Sequence, residues 1–186
     1  MKLVSLVAQA RLQSPLGALT VAATARGLAG LWFEGQAHYP TALDAPADAA
    51  QRFIAQAAGE LQRYWHGRLD GAFLVPLDLQ GTPFQRAVWC ALLDIPRGRT
   101  RTYTEVAARA GAARAVRAAA GAIARNPLSI IVPCHRVLGR GGSLTGYAGG
   151  LERKRALLAL EGAAPGSAAL QRYDAGAVRS EPPRCA

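Results

Sequence analysis

The stretch Ser129-Ile130-Ile131-Val132-Pro133-Cys134-His135-Arg136-Val137 is the most informative part of the chain. Its first four residues have the character of a buried strand. Because Pro133 has no N–H to give to a sheet, we expect the strand to end there and to place Cys134 at the mouth of an apolar layer. The imidazole of His135 and the guanidinium of Arg136 should both favour a thiolate, the nucleophilic form of cysteine.

Length, composition and charge limit the possible functions. The chain has 186 residues, which suits one large domain or two small ones. It contains no apolar run long enough to span a membrane and no signal-peptide pattern, so we expect a cytoplasmic protein with no membrane partner. Residues 1–80 carry six basic and six acidic residues, whereas residues 81–186 carry sixteen basic and six acidic ones. The second half therefore favours a negatively charged partner, with nucleic acid preferred over an ordinary solvated face.

The first half reads as a small α/β scaffold over residues 1–78. Short strands are predicted at Lys2–Gln9, Leu19–Ala23 and Leu28–Phe33, followed by a helix that Asp48 caps and that runs to about Trp65. No residue in this half resembles part of a functional site.

The second half, residues 79–162, begins as a helical region. Capping boxes at Thr82–Gln85 and Thr102–Glu105 predict two helix starts, and the second helix should end near Gly111. Another helix is predicted from about Ala113 to Ala124. Two short helices joined by a glycine turn, with arginines on the second, are typical of a helix-turn-helix, although an alanine-rich helix packed on the core is the alternative.

The remaining elements complete this interpretation. Gly139–Gly142 is predicted to be a hairpin turn, which could form the wing of a winged helix. A last helix should run from Leu151 to Glu161, and residues 163–186 read as a flexible tail.

Glu161 lies at a helix C-terminus, where the helix dipole disfavours an anion. One reason for an acid there is to accept the ring N–H of His135, so that the other ring nitrogen can act as a base toward Cys134. Adjacent residues of a strand point to opposite faces, so this arrangement needs a turned backbone or a bridging water. A surface glutamate beside a structural Cys-His pair is the alternative.

With these motifs identified, residues 77–162 closely resemble the O6-alkylguanine-DNA alkyltransferases (methylated-DNA–protein-cysteine methyltransferases) of the stand-alone bacterial type. The matching stretches are Leu77–Gln85, Tyr103–Ala107, Ala115–Ala118, Arg125–Pro127, Ile131–Val137, Gly146–Gly150 and Leu160–Gly162. The resemblance implies an α/β protein, with a small ribonuclease H-like N-terminal domain before a helical C-terminal domain that carries a winged helix-turn-helix.

The resemblance also implies roles for individual residues. Cys134 would accept the alkyl group, with His135 as its base through a water and Glu161 holding the imidazole. Asn126 would brace the turn before the cysteine, and Tyr103 would assist the leaving base.

Further residues would bind DNA or the flipped base. Arg117 would enter the base stack and fill the gap that the flipped nucleotide leaves. The other residues expected at the DNA interface are Arg114, Thr102, Ala118, Gly121 and Arg125. The residues expected around the base are Val132, Pro133, Tyr147, Ala148, Gly149 and Gly150. At position 148 some relatives have a serine, so alanine there would leave the contact with O6 to a backbone N–H.

The implied function is DNA repair by irreversible, stoichiometric transfer from O6-alkylguanine, and from O4-methylthymine as well, to Cys134. The partner would be double-stranded DNA and the protein a monomer, with no cofactor and no metal. Three alternatives remain: a non-catalytic alkyltransferase-like lesion-binding protein, a Cys-His acyl hydrolase and a transcription factor of the adaptive-response kind. Lesion-binding proteins of the alkyltransferase-like kind lack the acceptor cysteine. A Cys-His acyl hydrolase needs an oxyanion hole. A transcription factor of the adaptive-response kind needs a cysteine-rich N-terminal metal domain.

Overall fold

The computed structural model describes residues 3–69 and 71–163. It has an N-terminal unit built on a β-sheet and a C-terminal unit built mainly from helices, as the fold prediction stated. The predicted tail, apart from Ala163, lies outside the described residues, and Ala163 itself is buried.

The N-terminal sheet is a three-stranded antiparallel meander. Strands β1 (Leu6–Leu12), β2 (Leu19–Thr24) and β3 (Leu28–Phe33) pair in the order β1-β2-β3. Every residue of β3 is buried, since other segments cover both of its faces. Helix α1 (Arg52–Trp65) packs on this sheet and buries an apolar stripe.

The cap of α1 differs from the prediction. Gln51, not Asp48, accepts hydrogen bonds from the first backbone N–H groups of the helix. Asp48 instead accepts from the N–H of Ala50 and donates its own N–H to Gln9. Its pairing with β1 removes it from the helix end, and the helix begins three residues later.

Three helices form the centre of the C-terminal unit: α2 (Pro83–Leu93), α3 (Tyr103–Arg109) and α4 (Val116–Ala124). Both predicted capping boxes are present, at the starts of α2 and α3. The indole N–H of Trp89 donates to the carbonyl of Ala122 at 2.9 Å, which fixes α2 against α4. Helix α5 (Leu151–Leu160) follows later in the chain.

The predicted wing hairpin is wrong. Residues 140–142 form a short 3₁₀ turn closed by the N–H of Gly139 bonding to the carbonyl of Ser143, and residues 143–145 do not form a strand. A two-stranded parallel pair forms instead, between β4 (Arg101–Thr102) and β5 (Val137–Leu138). Strand β5 thus pairs with β4, which directly precedes α3, and not with a second strand of a hairpin.

The expected strand over residues 129–132 is also wrong, because this segment folds into consecutive turns. Ile130 has φ 73°, a left-handed conformation that is rare for a β-branched residue. The N–H of Ile131 bonds to the carbonyl of Ser129, and the N–H of Val132 reaches back to Leu128. The apolar composition reflects burial here, since Ile130–Val132 are all buried, rather than extended pairing.

Hydrogen bonds along the edge of strand β3 join the two units. The N–H of Leu31 donates to Pro127 and the N–H of Ser129 donates to Leu31, both at 2.8 Å, so the turn segment extends the ladder of β3. The N–H of Ala37 also bonds to Ala148. The cysteine segment is therefore anchored to the N-terminal sheet. No helix within the described part of the chain has the length and apolar character needed to cross a membrane.

Thr82→Ala tests the α2 capping box. The Thr82 hydroxyl accepts from the Gln85 N–H at 3.2 Å, and the Gln85 side chain accepts from the Thr82 N–H at 3.0 Å. We expect a loss of about 1 kcal/mol in the free energy of unfolding, measured with urea. Thr41→Ala, at an exposed loop position, is the control and should change stability little. Equal stabilities of the two variants would contradict this assignment.

Candidate active site

Cys134 begins a single 3₁₀ turn, Cys134–Arg136, directly after Pro133. This turned backbone resolves the difficulty that adjacent strand residues point to opposite faces. The thiol is buried at 5% exposure, and its Sγ accepts a hydrogen bond from the amide of Asn126 at 3.1 Å.

Asn126 organises the whole turn that carries the cysteine. Its amide nitrogen donates to the carbonyl of Val132 at 2.8 Å and lies 3.3 Å from that of Leu128, while its Oδ1 accepts from the Leu128 N–H at 3.0 Å. One buried side chain therefore satisfies backbone groups on both sides of the left-handed Ile130 and contacts the thiol as well. This stabilises a conformation that the local sequence disfavours.

Glu161 follows α5 and carries a buried carboxylate with four hydrogen-bond donors. His135 Nε2 lies 3.0 Å from Oε1, and the guanidinium of Arg136 bonds to both oxygens at 2.8 Å. The fourth donor is the hydroxyl of Tyr64, from α1, at 2.8 Å. Burial opposes ionisation, but His135 and Arg136 together hold the pKa of Glu161 well below its usual range.

The ionised carboxylate fixes the tautomer of His135. A carboxylate only accepts hydrogen bonds, so Nε2 must carry the proton and Nδ1 must carry the lone pair. Nδ1 is buried and has no hydrogen-bond partner among residues 3–69 and 71–163. Burial lowers the pKa of His135, although the charge of Glu161 opposes this effect. The lowered pKa keeps the imidazole neutral. A neutral imidazole with a free Nδ1 lone pair is able to accept a proton.

The resting state of Cys134 differs from the sequence expectation. Burial raises the pKa of the thiol, while the Asn126 amide and the charge of Lys154 oppose that rise. Arg136 does not supply the expected cation, because its guanidinium is bound to Glu161. The thiol is therefore the resting form, and a base must remove its proton before it can react.

Lys154 lies at the site although the sequence did not predict it there. It is fully buried on α5, and its ammonium donates to the carbonyls of Val137, Thr145 and Gly146. Burial lowers its pKa to about 8. Lys154 is one of only two lysines among the 22 basic residues, and the rarity of lysine is the sequence signal that could have pointed to it.

A cavity of about 400 Å³ opens beside Cys134. Of the predicted site residues, Tyr103, Tyr147 and Ala148 line it together with the cysteine. The hydroxyl of Tyr103 lies 3.3 Å from the carbonyl of Thr145, and burial raises its pKa. Ala37 and His38 also line the cavity, so residues of the first half do reach the site, contrary to the sequence analysis.

Four other residues expected around the base are not among those that line the cavity: Val132, Pro133, Gly149 and Gly150. Val132 and Pro133 belong to the turn behind the thiol. Gly149 is a close-packing position, where a Cβ would lie 2.6 Å from the Tyr147 ring. Gly150 caps α5.

The predicted DNA-contacting residues lie mainly on α4 and beside α3. Arg117 and Ala118 are exposed on the first turn of α4, Gly121 is half-buried, and exposed Arg125 caps the helix end. Thr102 caps α3. Arg114 precedes α4, because the chain turns at residues 112–115 and the helix begins at Val116. Its predicted position on this helix was therefore wrong.

Within the described ranges, no three His, Cys, Asp or Glu side chains cluster in a way that could hold a metal ion.

Family models match both units of the chain. Residues 7–79 match the ribonuclease-like domain, and residues 83–163 the DNA-binding domain, of 6-O-methylguanine DNA methyltransferase.

Curated relatives and solved structures agree with these matches. A methylated-DNA–protein-cysteine methyltransferase of Methanosarcina barkeri is 44% identical over 81% of this chain and 94% of its own length. One from Mycobacterium bovis is 47% identical over 81% and 89%. The crystal structure of Mycobacterium tuberculosis OGT in complex with DNA superposes with a TM-score of 0.76, at 44% identity, over 88% of this chain and 99% of that one.

Glu161→Gln tests the buried charge network. Because the folded pKa of Glu161 is lowered, its stabilisation is complete at neutral pH and is lost as pH falls below the ordinary glutamate pKa of about 4.3. We expect the variant to lose about 3 kcal/mol of unfolding free energy at neutral pH, with the difference narrowing in acid. Urea unfolding of wild type and variant, from neutral pH into acid, measures this difference in unfolding free energy.

Glu152→Gln is the control for this prediction. Glu152 lies on the same helix segment, and its exposed side chain pairs only with Arg155 among the described residues. It should change stability by less than about 0.5 kcal/mol at any pH. A Glu161→Gln difference that does not vary with pH would rule out the ionised carboxylate as its source.

Proposed function

The chain belongs to the 6-O-methylguanine DNA methyltransferase family, and from that membership we propose that it repairs DNA by moving an alkyl group from O6-alkylguanine to its own Cys134. Its enzyme class is methylated-DNA–protein-cysteine methyltransferase. The observation that carries the proposal is the buried Cys134 thiol at a base-sized cavity, next to a histidine whose tautomer Glu161 fixes.

Proton transfer precedes the chemistry in this proposal. The Cys134 thiol is protonated at rest, and the lone pair of His135 Nδ1 takes its proton through a water. Asn126 and Lys154 then stabilise the thiolate, because both favour the charged form of the sulfur. Glu161 stabilises the imidazolium that forms, as in other nucleophile–histidine–acid arrangements.

Alkyl transfer then proceeds in one displacement. The thiolate attacks the alkyl carbon, a C–S bond forms, and the bond from that carbon to O6 breaks. The guanine leaves as an anion that must be protonated, and the Tyr103 hydroxyl at the cavity wall is our candidate donor. Burial raises the pKa of Tyr103, so its hydroxyl carries a proton at neutral pH. The thioether is stable, so each molecule acts once.

The target base must leave the stack of bases in the DNA duplex before the thiol can reach it. The O6 position is hidden inside a duplex, and flipping a nucleotide out costs a few kcal/mol. The cavity of about 400 Å³ lies within the size range of small-molecule sites, so it has room for a flipped base. Tyr147 and Ala148 would contact the base there, with Val132, Pro133, Gly149 and Gly150 supporting the wall.

The helix pair α3–α4 is our proposed DNA interface. Arg117 is exposed at the start of α4 and would fill the gap in the base stack, while Arg114, Arg125 and Thr102 would contact the backbone. Ala118 and Gly121 are small, which lets the helix approach a groove closely. The positive charge of the second half supports phosphate contacts, so binding should weaken with salt.

Four finer parts of the proposal rest on the sequence pattern and on the family resemblance. They are activity on O4-methylthymine, action as a monomer without cofactor or metal, a cytoplasmic location, and a domain division after residue 78. A non-catalytic lesion-binding protein is the alternative, and the presence of Cys134 argues against it.

Cys134→Ala is the direct test of the acceptor. We expect complete loss of methyl uptake from a duplex carrying one O6-methylguanine, with DNA binding kept, because Asn126 retains its other acceptors. Intact-protein mass and peptide mapping should show one added methylene on wild-type Cys134 and none on the variant. Undamaged duplex is the control. Methyl uptake by the variant would exclude Cys134, and tight binding without uptake by wild type would favour the alternative.

Arg117→Ala tests the proposed base-stack contact. We expect its transfer rate to fall at least about tenfold with duplex substrate but little with free O6-methylguanine, since only the duplex requires flipping. Arg63→Ala removes an exposed arginine from α1 and should affect neither rate. Equal losses on duplex and free base would argue against the role proposed for Arg117.

A further inference from the structure

We propose that Tyr64, a residue of the N-terminal unit, is a positioning residue for alkyl transfer that sets the proton affinity of His135 through Glu161. This inference rests on the proposed function, in which His135 is the base. It assigns to the N-terminal sheet unit a part in the chemistry that the sequence did not indicate.

The contact that carries the inference joins residues 97 positions apart. The Tyr64 hydroxyl donates to Glu161 Oε1 at 2.8 Å, and the same oxygen accepts from His135 Nε2 at 3.0 Å. Both side chains are buried, and so is the carboxylate. Tyr64 and His135 therefore share one acceptor atom, and a change in one hydrogen bond must alter the other.

The ring of Tyr64 is held in place by its neighbours. Phe73 lies 5.6 Å away between ring centroids, and the Arg97 guanidinium carbon lies 5.5 Å from the ring centre. Arg97 also donates to the carbonyls of Leu69 and Leu160, at 3.3 and 3.1 Å. This arginine ties the segment after α1 to the end of α5, so the hydroxyl and the carboxylate keep their alignment.

Three cations surround the Glu161 carboxylate and the two neutral groups that donate to it. Arg136 is bound to both oxygens, Arg97 lies over Tyr64, and Lys154 acts on His135 from α5. Tyr64 and His135 both donate to the carboxylate as neutral groups. Burial and the Glu161 charge raise the pKa of Tyr64 far above neutrality, so its hydroxyl keeps its proton across the pH range in which histidine titrates.

The direction of the effect follows from the shared oxygen. A hydrogen bond from Tyr64 draws electron density from Oε1 and weakens the pull of Glu161 on a proton at His135. Without this bond the carboxylate would stabilise the imidazolium more strongly, and the pKa of His135 would rise. Tyr64 thus helps to keep His135 unprotonated and able to act as a base.

The experiment compares wild type, Tyr64→Phe and Thr24→Val. Thr24→Val is the matched control, since the Thr24 hydroxyl also donates to a carboxylate, that of Asp78, in the N-terminal unit. Single-turnover methyl transfer to Cys134 is measured across the pH range in which histidine titrates. In Tyr64→Phe we expect the acid limb of the rate profile to move to higher pH by about half a unit. In Thr24→Val the limb should not move.

A second readout does not depend on activity. The NMR titration of the His135 ring, in protein without DNA, should show the same upward shift in Tyr64→Phe alone. If the phenylalanine variant does not fold, a ring-fluorinated tyrosine at position 64 replaces it. Because the hydroxyl of fluorinated tyrosine is a stronger hydrogen-bond donor, it should move both the acid limb of the rate profile and the titration of His135 to lower pH.

The outcomes separate the two levels of inference. A lower rate at all pH values, with neither the limb nor the titration shifted, means that Tyr64 is only structural and overturns the proposal. If wild type transfers no methyl group, the proposed function fails, and the role in transfer fails with it. The NMR titration then still decides whether Tyr64 sets the proton affinity of His135.

Discussion

The buried carboxylate of Glu161 is the constraint on which the site depends. An ionised carboxylate away from water is costly unless donors surround it, and this one has four, from Tyr64, His135 and Arg136. These donors come from α1 and from the turn after Pro133, and the acceptor follows α5. The three segments must meet for the charge to be satisfied. Satisfying this charge therefore joins the two units and also fixes the tautomer of His135.

A second constraint acts on the backbone that carries the nucleophile. Asn126 bonds to Leu128, Val132 and the Cys134 sulfur, and this network holds Ile130 in a left-handed conformation. The same segment bonds to β3, so the N-terminal sheet supports the turn from outside. A flexible loop would leave the thiol free to rotate away from the cavity. Here its position follows from hydrogen bonds on both sides.

The electrostatics of the site keep the thiol neutral until a base acts. Arg136, which sequence order places two residues from Cys134, is bound to Glu161, and burial raises the pKa of the sulfur. Lys154 provides the cation whose charge favours the thiolate, and its ammonium also donates to the carbonyls of Thr145 and Gly146 at the cavity wall. Such an arrangement leaves the cysteine weakly nucleophilic until its proton is removed.

Features that depend on residues close together in the chain could be predicted from the sequence alone. Thr82 and Thr102 each cap a helix with a residue three positions on, as predicted. For Glu161, which follows His135 by 26 residues, the sequence left two alternatives, and the structure shows a hydrogen bond to the imidazole rather than a surface glutamate. Other features depend on contacts between segments that are far apart in the chain. Residues 129–132 look like a strand because they are apolar, yet Asn126 and the edge of β3 bend them into turns. Tyr64, Ala37 and Lys154 reach the site through packing between distant segments, and no local pattern records which buried side chain will meet a charge about a hundred residues away.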